Sequence, residues 1–311
     1  MSRLAIRKDV NMTEGSIWKQ LLWFALPLLV GNLFQQLYNT VDSIVVGNFV
    51  GKEALAAVGS TDSIINTIIG FFSGMATGAG VVISQYFGAR DDESVHKAVH
   101  TTIAMTFFMA IAFTVLGILL VPPMLSLMGT PEDVFPEAST YLRIYFAGVI
   151  GLMFYNMGAG ILRAVGDSRR PLYFLIFSAI TNIVLDLLFV VVFRFGVAGV
   201  AYATIISQFL SALLVLWTLS RERSSYRLVW KKIRIWREML TKIVRIGFPS
   251  ALQMAITAFS NVFVQSYINH FGSACMAGWS SYGKIDKFCM LPIQSVSLAI
   301  TTFVGQNLGA N

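Results

Sequence analysis

The chain has 311 residues, 56% of them hydrophobic and only 13% charged, with 23 Lys and Arg against 16 Asp and Glu and a net charge of +7. A mean hydropathy of +0.68 excludes an ordinary soluble domain. The basic residues line successive short loops beside apolar stretches, so the positive balance reports membrane topology and excludes a nucleic-acid surface.

The opening, MSRLAIRKDVNMTEGSIWKQ, is polar and has no cleavable apolar segment, so the first apolar stretch is expected to remain in the mature protein. Either Met1 or Met12 could be the start. Eight stretches then follow, at 17–46, 54–82, 95–121, 138–163, 171–193, 197–219, 243–269 and 276–304. Each offers the about 20 apolar residues that a helical span needs. The period-two alternation of a membrane barrel is missing. The expected fold is an all-α polytopic membrane protein. Most Lys and Arg fall in the N-terminal arm, around Arg90 and Lys97, around Arg163, Arg169 and Arg170, and from Arg221 to Arg245. The positive-inside rule makes those connections, and the N-terminus, cytoplasmic.

The first stretch carries Asn32, Gln35, Asn39 and Asp42 at spacings of three, four and three, one polar stripe along a helix. The second carries Asp62 and a glycine ladder, Gly70, Gly74 and Gly78, which reads as a close helix contact. In the third, His96 and His100 stand four apart; without a third ligand nearby they read as a solvated helix end. The fifth carries Asn182 and Asp186, four apart, and the sixth Thr204. Counted from the outer helix ends, Asp42, Asp186 and Thr204 lie at a common depth of roughly 9–12 Å. A carboxylate at the centre of a membrane helix costs about 2.5–3.5 kcal/mol, so two at one depth without Lys or Arg call for a function. Together they make a proton site, or a Na⁺ site if both stay ionised among amide and hydroxyl oxygens. Asp286 has Lys284 and Lys287 beside it, which predicts an internal ion pair. Cys275 and Cys289 share the last helix roughly 21 Å apart, too far to bridge, and are expected in the core.

Between the sixth and seventh stretches, SYRLVWKKIRIWREMLTKIVR alternates Leu228, Trp230, Ile233, Trp236 and Leu240 with Lys and Arg. It predicts an amphipathic linker on the anionic cytoplasmic leaflet. Beyond it the sequence repeats itself. Pro27 matches Pro249, Asn39 matches Asn261, Asn48 matches Asn269, Gly51 matches Gly272, and the phrase Gln85-x-x-Gly88-Ala89 returns as Gln306-x-x-Gly309-Ala310, all at nearly one offset. Six spans separate the copies, so both enter the membrane in the same sense, the parallel repeat of a two-lobed transporter. The expected organisation is a cytoplasmic arm at 1–16, a first lobe at 17–219, the linker at 220–242 and an incomplete second lobe at 243–311, giving eight of twelve helices. Pro27 and Pro249 supply bending points.

The segments LYNTVDSIVVGNFVGKEALAAVG, ILRAVGDSRRP and GVAGVAYATIISQ, with the doubled Q-x-x-G-A, resemble the MATE family of multidrug and toxic compound extrusion transporters, along essentially the whole chain. The resemblance is closest to the bacterial DinF- and MepA-like branch. It implies a two-lobed exporter of cationic and amphipathic compounds in the bacterial cytoplasmic membrane, a monomer, driven by inward H⁺ or Na⁺ and needing no cofactor. It places the coupling site at Asp42, Asn182, Asp186 and Thr204, with Asn156 as a further ligand; Gln35, Asn39 and Asp62 would stand around it or line the cavity. Where the NorM-like branch has a seventh-helix Glu, this chain has Thr257. A related alternative is a flippase of lipid-linked oligosaccharides. Pyrophosphate would then demand Arg or Lys facing the cavity, where the mid-span positions show carboxylates. A membrane hydrolase would need a nucleophile with its base, or a His-based metal cluster; neither is visible.

Overall fold

The computed structural model describes residues 12–270 and 273–310. Within them the chain is almost wholly helical, because a backbone in hydrocarbon must satisfy its N–H and C=O groups inside its own segment. The long helices are α1 (Ile17–Phe49), α2 (Lys52–Gly88), α3 (Asp92–Leu127), α4 (Phe135–Ala164), α5 (Arg169–Asp186), α6 (Gly196–Arg221), α7 (Arg237–His270) and α8 (Ser273–Ala310). Among the described residues, seven of these contain a stretch long and apolar enough to cross a membrane. α7 carries Arg245, Ser250, Gln253, Thr257, Ser260 and Asn261 along its length. Its place is set by packing: α7 lies against α2 in the most extensive of the described helix contacts. Large apolar side chains such as Phe108, Leu119 and Val192 are more than half exposed on the outer faces, as a lipid solvent requires.

Within the first six helices, α4 packs against α2, α3 and α6, while α1 and α6 flank α5. The α4–α5 connection is one tight turn. Gly166 holds φ at 91°, a conformation that L side chains rarely adopt. Asp167 follows it, accepting the backbone N–H groups of Arg169 and Arg170 at 3.1 Å each. Arg170 pairs with both Asp167 and Glu222, tying this turn to the end of α6.

The last two helices pack on α2 more than on each other, and α8 also lies along α1. The glycine ladder forms the α2–α7 seam. A Cβ on Gly74 would collide with the Ser250–Ala251 backbone, and one on Gly78 with the Gly247 backbone. Gly70 faces Met254 in ordinary contact at 3.4 Å. On the same side of the bundle the doubled phrases meet. A Cβ on Gly88 would strike the Gln306 carbonyl, and one on Gly309 the Gln85 carbonyl. Gln306 also accepts the Met12 N–H at 3.0 Å and donates to the Ala164 carbonyl at 2.9 Å. Met12 is thereby buried among Phe24, Ala25, Leu28 and Ala299.

Several expectations change. The linker is non-helical after α6, apart from a 3-10 turn at Trp230–Lys232, until α7 begins at Arg237. Tyr226 and Leu228 are buried in the core that holds Val95, Val99 and Leu162, because apolar side chains facing the bundle are covered better there than at a headgroup surface. His100 is not solvated. It is fully buried, with Nδ1–H donating to the His96 carbonyl at 2.7 Å and Nε2 accepting the Val229 N–H at 3.0 Å. Cys289 is exposed on α8, and the side chain of Cys275 lies outside what the structure describes. Asp286 faces the Tyr282 hydroxyl at 3.4 Å; among the described residues no ion pair joins it to Lys287, and the Lys284 side chain is not described.

Candidate functional site

The site begins on α1. Its stripe of Asn32, Gln35, Asn39 and Asp42 is not a single line, because at about 100° per residue the spacing drifts by roughly 80° from Asn32 to Asp42. The structure divides it accordingly. Asn32 reaches across to α8, its amide donating to Ser295 Oγ at 3.2 Å. Asn39 is exposed, while Gln35 and Asp42 are half-buried toward the first six helices. Tyr38 stands between Gln35 and Asp42, near Tyr145 and Tyr155 of α4. Tyr38 falls outside the polar stripe of α1, although its position one turn before Asp42 places it beside that carboxyl.

Asp42 of α1 and Asp186 of α5 face each other, carboxyl to carboxyl. Asp186 is fully buried. Among the described residues no donor reaches either of its oxygens, nor Asp42 Oδ1. One turn earlier on α5, buried Asn182 likewise has neither its amide N nor its O engaged. A cluster of buried polar atoms, most of them acceptors, left without partners carries a desolvation cost that a proton or small cation between the carboxylates would offset. Chemically, an arrangement of this kind can receive a small cation of low charge.

The remaining residues of the expected site are placed less directly. Thr204 of α6 is buried and donates to the Val200 carbonyl at 3.0 Å; its lone pairs remain available. Asn156 of α4 is half-buried and donates to the Leu152 carbonyl at 2.8 Å. Both serve their own helices, and α4 and α6 each pack against α5. Asp62 lies on α2, its side chain outside the described residues. Pro27 and Pro249 sit inside α1 and α7. Thr257 is exposed and donates to the Gln253 carbonyl.

Immediately after Asp186 the α-helix gives way to a π-helix, Leu187–Val192, in which Phe193 N–H bonds to the Leu188 carbonyl. A π-helical turn inside a helix is uncommon and tends to accompany functional sites. Its sequence, LLFVVV, carries no polar or glycine signal, so it was not legible beforehand.

These helices define a polytopic membrane protein with two internally related parts and a paired-acid centre in the first. The chain belongs to the MatE family, whose model matches residues 27–188 and 249–311. It is 32% identical over 302 residues to a probable multidrug resistance protein, YpnP, of Bacillus subtilis, covering 97% of this chain and 67% of the relative. It is 24% identical to an FAD transporter of Shewanella oneidensis, covering 96% of this chain and 67% of the relative. A solved structure described as the outward-facing conformation of a multidrug resistance MATE family transporter superposes with a TM-score of 0.90 at 29% identity, over 97% of this chain and 67% of that one. The chain thus spans about two thirds of the length of the relatives it matches, and those relatives are transporters, not enzymes.

Proposed function

We propose that the chain forms the coupling lobe and the start of the substrate-binding lobe of a multidrug antiporter, exporting cationic and amphipathic compounds against inward flow of H⁺ or Na⁺. The observation that carries this is the facing pair Asp42 and Asp186, buried acceptors that no donor among the described residues satisfies. The basic connections face the cytoplasm, which puts the pair toward the outer side, where the driving ion enters.

In this mechanism, a cation captured between the two carboxylates, with Asn182 and Thr204 as neutral oxygen ligands, removes their mutual repulsion and lets α1 and α5 draw together. Losing it to the cytoplasm restores the repulsion. Either ligand shifts the balance of conformations only by its differential affinity for them. One charge moving inward across 100 mV supplies about 2.3 kcal/mol, enough for about fifty-fold concentration of substrate. Gln35 and Tyr38 hold the approach to Asp42, and the π-helical turn after Asp186 gives α5 a place to yield.

The test is ethidium efflux by the complete gene product in cells lacking other pumps, with Asp42→Asn and Asp186→Asn. Each variant should lower efflux at least about tenfold, the scale of a lost charge-coupled step; unimpaired efflux in both ends this reading. A second reading, transport of a lipid-linked pyrophosphate, gains one supporting observation in the position of Arg163.

A further inference from the structure

A small cleft opens between α2, α4 and α8, on the basic side of the bundle. Its walls include Thr77 and Gly80 of α2, Gly160 and Arg163 of α4, and Thr301 and Thr302 of α8. It therefore lies between the two repeat units, at the end opposite Asp42 and Asp186. Small residues keep it open: Gly160 faces Ala76 at 3.5 Å, and a Cβ there would lie 3.9 Å from Arg163 Nη2. The guanidinium is thus turned back along α4 into the cleft rather than out to water.

Nothing acidic answers that charge. Among the described residues Arg163 has no carboxylate within 4.0 Å, whereas Arg170, seven residues on, is paired with both Asp167 and Glu222. Tyr155 is near, but its hydroxyl donates to the Pro171 carbonyl at 3.1 Å. The Ala164 carbonyl, at the negative end of α4, is already taken by Gln306. What remains is a planar five-donor cation among hydroxyl groups in a half-closed space. That donor set matches carboxylate and phosphate oxygens, which a guanidinium grips in bidentate fashion.

We propose that this cleft is an oxyanion subsite, taking the carboxylate or phosphate of an amphipathic solute on the export path, or the phosphate of a lipid headgroup. It rests on the reading that the space between the repeat units is the substrate path. The acid group would sit far from Asp42 and Asp186, so the two sites do not repel one another's ligands. Solutes that join a cationic or neutral aromatic body to an acid group are then preferred over plain cations of the same body.

Rhodamine B, which carries a free carboxylate, and its ethyl ester, a plain cation, isolate that one group. Equilibrium binding of each to the complete purified protein, without an ion gradient, is measured for the native protein, Arg163→Gln and Arg163→Lys. We expect Arg163→Gln to weaken rhodamine B about tenfold or more, the loss of a charge-assisted bidentate contact, with the ester changed less than twofold. Arg163→Lys, which keeps the charge and loses the fork, should give an intermediate loss for rhodamine B alone and serves if the Gln variant does not fold. The phospholipid that co-purifies with each variant is counted by mass spectrometry. Unchanged dye binding with a several-fold drop in bound anionic phospholipid assigns the subsite to a lipid headgroup. Equal losses for both dyes, or no change in dye and lipid alike, overturn the proposal. Because binding is read without a gradient, failure of the Asp42 and Asp186 coupling reading would leave this result interpretable by itself.

Discussion

Gln85 and Gly309 meet backbone to backbone, and Gln306 and Gly88 do the same in mirror fashion across the α2–α8 contact. Two copies of one phrase therefore clasp each other, each glycine making room for the other copy's glutamine carbonyl. This is why the sequence carries glycine at matching places. Substituting Val for Gly88 or Gly309 should force these helix ends apart. In a background with Cys275 and Cys289 changed to Ser, a cysteine at Thr302 should react several-fold faster with a membrane-impermeant maleimide applied to the basic side. An unchanged labelling rate would show that the clasp does not close the bundle.

Replacing Asp186 by Asn gives the buried Asp42 carboxyl a donor and removes one of two facing acceptors. Relief of an unsatisfied buried polar group is worth about 1–3 kcal/mol. The Asp186→Asn variant should therefore melt several degrees higher than the native protein in detergent while losing efflux. A lower melting temperature would mean the pair is already stabilised in the resting protein.

The α2–α7 seam has no room for side chains at two rungs. Gly78→Leu would drive a side chain into the Gly247 backbone, and overpacking of this kind typically costs about 1–3 kcal/mol. Gly70→Ala, facing only Met254 at 3.4 Å, should be nearly neutral. Thermal stability of the two variants side by side checks the ordering.

His100 pins the linker by accepting the Val229 N–H. His100→Phe keeps the ring's bulk and leaves that half-buried donor without its partner, at about 1 kcal/mol or more. Trypsin should then cleave after Lys231, Lys232 or Arg234 several times faster, with the transmembrane fragments otherwise intact. Identical cleavage kinetics would refute the pinning role.

Helices were legible because apolar length dominates every other signal in a membrane chain, and the Asp42–Asp186 pairing followed from counting residues inward from the helix ends. The glycine ladder could be read as a seam, though not its partner, since Gly247 and Ala251 look ordinary in sequence. Arg163 was hidden for a different reason. It shares ILRAVGDSRRP with Arg169 and Arg170, and a long flexible side chain near a helix end can turn to water or back along its helix. Only packing around Gly160 decides which. Leu228 of the linker turns inward because an amphipathic pattern specifies only a partner surface of the right polarity, and the protein's own core supplies one. His100 misled because four-residue spacing says nothing of a chain segment folding over it from 129 positions later.

The contact of Gly78 with Gly247 brings two main chains together with no knobs to interlock. Rods joined in that manner can roll on one another without unmeshing anything, as a shaft turns in a plain bearing. A pivot so smooth would ask little work of whatever turns it.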